Sequence, residues 1–265
     1  MYPFILQDIF NYALPTYDVI LITGVIIMVF YITHRLEKVD GFTREQTNRL
    51  IILIIISLLS ALLISFVFDG VFHSIKEGAL TFGSVNFLSG LVGGFVTFLF
   101  LMKYFYEYEK NEMKKILNTI IIGVVLAHAI GRIGCFFAGC CFGIPTDSFL
   151  GITFPHGHAH ILYPDTAVFP TQLFESAFLF ILFFLMTNVN IFKNKSVEVY
   201  LVGYGIWRIL IEFIRGDDRG VLFNLFETEY NIFPTPAQVI SLFMVIFGVY
   251  LLYKQRNGSI KLDEK

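Results

Sequence analysis

Charge is what this chain has least of. Only 15% of its 265 residues are Asp, Glu, Lys or Arg, where a soluble domain of this size carries about a quarter. That scarcity excludes an ordinary water-soluble fold, and a net charge of −2 gives no electrostatic footprint for nucleic acid, so no nucleic-acid partner is expected. Cysteine is scarce too. Three residues, Cys135, Cys140 and Cys141, cannot form a closed disulfide framework, because an odd count leaves at least one thiol unpaired. The chain contains no C-x-x-C and no H-E-x-x-H, which removes the common redox and metalloprotease signatures. It also lacks internal repeats and low-complexity stretches. The opening MYPFILQDIFNYALPTYD has no Lys or Arg, so it does not read as a cleavable signal peptide and the first apolar span is expected to be retained.

What is abundant is apolar surface. Hydrophobic residues make up 56% of the chain, 31 of the residues are Phe, and the mean hydropathy is +0.71. A spanning helix needs about 20 mostly apolar residues. Seven stretches qualify, near 16–33, 50–70, 84–104, 117–136, 171–188, 197–214 and 236–253. The fold class expected is therefore an all-α polytopic membrane protein of seven transmembrane helices. It forms a single membrane domain over 1–265, with a small extracytoplasmic head inserted at 137–170.

Basic residues orient it. Arg35, Lys38, Arg44 and Arg49 lie between spans one and two, and Lys103, Lys110, Lys114 and Lys115 between three and four. Lys193 and Lys195 lie between five and six, and Lys254, Arg256, Lys261 and Lys265 follow span seven. The alternate side holds Lys76, Arg215 and Arg219, and segment 137–170 holds none. Basic loops stay cytoplasmic, so the N-terminus is expected outside and the C-terminus inside.

Against this background the charged residues within spans stand out. Each costs roughly 2.5–3.5 kcal/mol at the centre of an inserting helix and is a functional candidate by default. Arg132 falls in the outer half of span four, flanked by Gly131 and Gly134. Arg208, Glu212 and Arg215 follow at i, i+4 and i+7, the spacing of one helix face. Gln172 and Glu175 open span five on the outer side, Gln238 opens span seven and Tyr17 opens span one. A self-neutralising Arg–Glu pair accounts for Arg208 and Glu212 alone, but not for Arg132 or Arg215. Three arginines against two carboxylates leave a positive surplus suited to a phosphate, which Arg grips through its planar fork. At headgroup depth the expected ligand is an anionic membrane lipid.

These residues carry a resemblance. Tyr17, the run Ser89-Gly90-Leu91-Val92-Gly93-Gly94, Gly131-Arg132-Ile133-Gly134, Pro170-Thr171-Gln172-Leu173-Phe174-Glu175, Arg208-Ile209-Leu210-Ile211-Glu212-Phe213-Ile214-Arg215, and Thr235-Pro236-Ala237-Gln238 with Ser241 occur in an order that resembles the bacterial prolipoprotein diacylglyceryl transferase family. The resemblance implies a multi-pass protein of the bacterial plasma (inner) membrane. It implies transfer of a diacylglyceryl group from phosphatidylglycerol to the cysteine thiol of a secreted, lipobox-containing precursor, with glycerol phosphate released and no metal or organic cofactor. It implies catalytic roles for Arg132, Arg208 and the paired acid Glu212, and it matches Gly143 to the last glycine of the signature. With Tyr17, Gln172, Glu175, Arg215 and Gln238, Gly143 completes the expected substrate-binding set.

The chain also departs from the family pattern. Cys135, Ala138 and Cys140 occupy the positions of two asparagines and a glutamate, and Leu88 stands where the family has a histidine. An attacking thiol must lose its proton. His128, one turn before Arg132, lies on the same helix face and is the candidate base. The thiols admit three readings: small apolar fillers, a disulfide on the outer side, or a reactive nucleophile. His156, His158 and His160 alternate in FPHGHAH, and on a strand they would project to one side. With His128 and the cysteines they support a rival class, a membrane metal-binding or thiol-redox protein. A family paralogue with a different acceptor is a further alternative. A lipid-binding or transport protein using the same pocket is less well supported, because no paired repeats occur.

Overall fold

The computed structural model describes residues 4–5, 14–77, 87–106, 110–192, 194–217, 225–228 and 232–263. Eight α-helices dominate them. Helix α1 is Thr16–Lys38, α2 Arg44–Glu77, α3 Phe87–Phe105, α4 Lys110–Ala138, α5 Gly157–Leu162, α6 Thr171–Asn188, α7 Ser196–Ile211 and α8 Pro236–Asp263. Strands are two-residue pieces paired antiparallel: β1 Phe4–Ile5 with β2 Leu14–Pro15, β3 Ile152–Thr153 with β4 Ala167–Val168, and β5 Phe226–Glu227 with β6 Ile232–Phe233. The protein is thus an all-α membrane protein.

Among the described residues, five helical segments are long and apolar enough to cross a bilayer: Thr16–Lys38, Arg44–Val67, Glu112–Ala138, Thr171–Asn188 and Pro236–Asn257. Helix α3 contributes a shorter apolar segment, Val92–Phe105, and α7 has 16 residues. Large apolar side chains point outward from these helices, as with Phe30, Leu63, Val96 and Phe243. In water that surface would be unfavourable; against hydrocarbon it is the solvent-facing side.

The chain divides into two compact units, one of residues 1–31 and 117–265, the other of residues 32–116. In the second unit, α2 and α3 pack through small residues. A Cβ on Gly90 would lie 3.1 Å from the Ala61 carbonyl oxygen, and one on Gly94 2.8 Å from Ala61 Cβ. The glycine run of helix three therefore has a packing role, the small-residue contact by which membrane helices approach. The side chain of Leu88 lies outside the described residues.

The first unit has an apolar core of Ile122, Val125 and Ala129 from α4, Leu179, Leu182 and Met186 from α6, and Tyr204 from α7. The Ser176 hydroxyl donates to the Ala129 carbonyl at 2.8 Å and ties α6 to α4. A second cluster, Phe142, Phe154, Ala159 and Val168, holds together the segment between α4 and α6. Every candidate site residue named above belongs to this first unit.

Candidate functional site

Glu175 is the hub. It lies in the first turns of α6 with no solvent exposure, and its Oε1 meets Arg132 Nη2 of α4 at 2.9 Å. The same oxygen accepts the Tyr204 hydroxyl of α7 at 2.8 Å and lies 3.7 Å from His128 Nε2. Its Oε2 is 4.0 Å from Arg215 Nη1. His128 and Arg132 do share a face of α4, as their spacing requires, and both turn toward this carboxylate. His128 also meets the Tyr204 ring edge-on, with centroids 5.2 Å apart, and Tyr204 stacks on Tyr200.

The second is the ion pair Arg208–Glu212, with Nη2 and Oε2 3.1 Å apart. Glu212 is fully buried and also accepts the Thr235 hydroxyl at 2.7 Å. Thr235 and Gln238 form a capping box at the start of α8. The Gln238 amide nitrogen donates to Thr235 Oγ1 at 3.3 Å, and the Thr235 amide nitrogen to Gln238 Oε1 at 3.1 Å, with Pro236 at the first helical position. Gln238 Nε2 donates to the Ile209 carbonyl at 3.3 Å. Gln238 therefore fixes the end of α8 beside Glu212.

The structure corrects one expectation about α7. Arg208, Glu212 and Arg215 do not share one α-helical face. The α-helix ends at Ile211, Glu212–Ile214 form a 3₁₀ turn, and Arg215 is extended with φ −76° and ψ 142°. The chain leaves the helix to pair with the segment after α4: Gly143 bridges Arg215, Ile144 N donates to the Ile214 carbonyl at 2.9 Å, and Gly216 N to the Phe142 carbonyl at 3.0 Å. A Cβ on Gly143 would lie 2.6 Å from Phe169 Cβ and 2.7 Å from the Ile214 oxygen. Gly143 is the point where three backbone segments meet.

Charge balance also differs from expectation. Arg215 forms a two-pronged pair with Asp217, Nε to Oδ1 at 2.9 Å and Nη2 to Oδ2 at 2.7 Å. Burial by itself would lower the Arg215 pKa, but the Asp217 carboxylate reverses this and raises it above the usual arginine value. With Asp217 counted, three arginines face three carboxylates, and among the described residues no surplus exists. The anion-binding capacity lies in individual donors: among the described residues, Arg132 Nε and Arg208 Nη1 are buried without a hydrogen-bond partner.

Tyr17 packs on Gly134, where a Cβ would lie 3.3 Å from the Tyr17 ring. Gly131 has no such close neighbour; its nearest is Leu21 Cδ1 at 3.8 Å. The glycines flanking Arg132 are therefore not equivalent.

Gln172 is fully buried, and its Nε2 donates to the Cys140 carbonyl. Thr171 Oγ1 donates to the Cys141 carbonyl at 2.7 Å. Both hold the loop that carries the cysteines. That loop is a Schellman turn: Gly139 has φ +65°, its N–H bonds to the Phe136 carbonyl, and the Cys140 N–H bonds to the Cys135 carbonyl, both at 3.2 Å. The three thiols are unbridged, and their sulfurs lie within 4.8 Å of one another. Hydrogen bonds from the Cys135 and Cys140 thiols, aided by Arg215 and Arg132, lower the Cys141 pKa. The same network raises that of Cys140.

The histidines of FPHGHAH do not line a strand. His156 precedes α5, and His158 and His160 lie within it. His156 Nε2 lies 3.3 Å from the Phe137 carbonyl, His160 Nδ1 lies 3.1 Å from the Phe154 carbonyl, and His158 is exposed. Among the described residues they join no metal-ligating cluster with the cysteines.

A family model described as prolipoprotein diacylglyceryl transferase matches residues 4–254. The chain belongs to that family. Its relatives include the phosphatidylglycerol–prolipoprotein diacylglyceryl transferase of Clostridium tetani, 28% identical over 260 residues, covering 93% of this chain and 95% of the relative. Another is phosphatidylglycerol–prolipoprotein diacylglyceryl transferase 2 of Clostridium perfringens, 37% identical over 163 residues, or 59% of each chain. The transferase of Finegoldia magna is 25% identical over 269 residues, covering 97% and 98%. These likenesses favour an enzyme over the rival class of metal-binding or thiol-redox membrane protein.

Sequence reasoning missed Tyr204, Thr235 as a Glu212 partner, and Asp217. Tyr204 was accessible as an aromatic one turn before Arg208. Asp217 lies past the helix end, where helical spacing carries no information.

Proposed function

We propose that the protein transfers the diacylglyceryl group of phosphatidylglycerol to the cysteine thiol of a secreted, lipobox-containing precursor. The observation that carries the reading is the pair of buried guanidinium groups, Arg132 and Arg208. Each is aligned by a buried carboxylate and each retains a nitrogen without a partner. Such preorganised donors stabilise charge that develops in a transition state. The thiol sulfur attacks C3 of the lipid glycerol, the C3–oxygen bond breaks, and its electron pair leaves on glycerol phosphate. Arg132 and Arg208 hold that phosphate, with Arg215 beside them. Glu175 and Glu212 keep the guanidinium planes in place, and His128 is positioned to take the thiol proton. Tyr17 lines the headgroup pocket, and Gln172, Gln238 and Gly143 shape it.

Seven spans follow if α3 and α7 also cross the bilayer. The alternation of basic loops then places the N-terminus outside the bacterial plasma membrane, the C-terminus in the cytoplasm, and segment 137–170 as an extracytoplasmic head at the outer leaflet. The relatives' names support both substrates.

The test is direct. Purified protein is incubated with labelled phosphatidylglycerol and a lipobox peptide, and both products are assayed. Lipidated peptide with equal glycerol phosphate is expected. Glycerol phosphate without lipidated peptide would reassign the acceptor.

A further inference from the structure

The three thiols sit where the reading above places no role, yet they form a built tripod. Cys135 and Cys140 occupy the two Schellman positions whose side chains meet across a helix end. Cys141 then takes a left-handed conformation, φ +60°, which a residue with a Cβ adopts only when its surroundings demand it. Two buried side chains, Thr171 and Gln172, hold the carbonyls of Cys141 and Cys140. The result is three free sulfurs within 4.8 Å of one another, all half-buried, near the Arg132 and Arg215 charges.

We propose that Cys135, Cys140 and Cys141 bind one zinc ion whose fourth position takes the acceptor thiol. Zinc–sulfur bonds of about 2.3 Å put the ligands of a tetrahedron roughly 3.8 Å apart, a spacing these thiols reach by small side-chain rotations. Thiolates select a soft or borderline ion over magnesium or calcium. Three thiolates and a dication carry one net negative charge, and the Arg132 and Arg215 guanidiniums, each already paired with a carboxylate, lie close enough to favour it. Among the described residues no fourth Cys, His, Asp or Glu joins the group, and three protein ligands with an open position are the arrangement of catalytic rather than structural zinc.

The inference rests on the proposed transfer reaction. The acceptor thiol binds the ion as thiolate and gives its proton to His128, the base of the proposed reaction. Its sulfur then forms the bond to glycerol C3 as the C3–oxygen pair departs on glycerol phosphate. The thioether product is neutral, a weak ligand, and leaves the ion. This departs from the cofactor-free expectation and supplies thiol activation at the place where the chain leaves its family's pattern.

The experiment uses the full-length protein in detergent, stripped with a chelator and titrated with Cd²⁺ and Zn²⁺. The expected result is one Cd²⁺ per chain with a thiolate charge-transfer band, lost in the triple variant C135S/C140S/C141S. Lipobox-peptide transfer should fall about tenfold or more on stripping and return with Zn²⁺, because a free thiol of pKa about 8.5 is only a few per cent thiolate near neutral pH. The stripped enzyme should also show a rate that climbs with pH toward that value. Cd²⁺ binding that survives the triple substitution overturns the site. A stripped enzyme as fast as the zinc-loaded one overturns the activation and leaves the transferase reading intact. Binding of Cd²⁺ by the three thiols with no transfer from any form overturns the reaction itself, and the activation with it.

Discussion

Arg132 and Glu175 meet at 2.9 Å across α4 and α6, the carboxylate fully buried and also accepting the Tyr204 hydroxyl. The ion pair is the joint on which the first unit's polar groups are assembled. Three helices converge on one oxygen, and Arg215 approaches the other from the loop after α7. Removing Glu175 leaves Arg132 buried without its carboxylate, whereas removing Arg132 leaves Glu175 with Arg215 at 4.0 Å.

Glu175→Gln keeps the shape and removes the charge. Breaking a buried pair from one side costs about 3–5 kcal/mol, so the variant should unfold at clearly lower temperature in detergent and lose transfer. Thermal unfolding followed by circular dichroism checks this. An unchanged midpoint would mean that Arg132 finds another partner.

Tyr204→Phe removes one hydroxyl from the same oxygen and leaves the ring stacked on Tyr200. The expected loss is about 1–3 kcal/mol, smaller than for Glu175→Gln. Activity should fall while the protein remains folded. The unfolding midpoint and the transfer rate, measured on one preparation, separate the two effects.

The glycines give a paired prediction. Gly143→Ala drives a Cβ into Phe169 and the Ile214 carbonyl, and overpacking of this kind costs about 1–3 kcal/mol. Gly131→Ala meets only Leu21 Cδ1 at ordinary contact distance and should be tolerated. Expression level and unfolding midpoint compare them.

Thiol chemistry follows the loop's hydrogen bonds. Cys141 is held below the ordinary thiol pKa by hydrogen bonds from Cys135 and Cys140, with Arg215 and Arg132 acting in the same direction, while Cys140 is raised. A depressed value keeps the thiolate as pH falls and removes it only below that value. In metal-stripped protein, Cys141 should therefore be alkylated before Cys140 and still react in mildly acid buffer. Peptide mass spectrometry after brief iodoacetamide treatment gives the order.

The parts legible in sequence were those governed by helical period and by insertion cost. His128 and Arg132 share a face because they are four apart, and Arg208 reaches Glu212 for the same reason even though the helix tightens at Glu212. The apolar runs located the helices. What spacing could not show was the end of α7. There the chain exchanges helical bonds for a bridge to Gly143, which turns Arg215 away from the expected face and toward Asp217. FPHGHAH alternates as a strand would, but the close backbone approach of Gly139 and Gly157 folds it into a turn and α5. The meeting of the cysteines depended on a left-handed Cys141, which spacing does not reveal.

The central claim is that the buried arginines serve phosphate release in a thiol transfer. The deciding measurement compares wild type with Arg208→Ala and Arg132→Lys on labelled phosphatidylglycerol and a lipobox peptide, with folding of each variant verified by its unfolding midpoint. Wild type should yield lipidated peptide and glycerol phosphate in equal amounts, and each folded variant should lose both. Transfer undiminished in a folded Arg208→Ala protein would contradict the account.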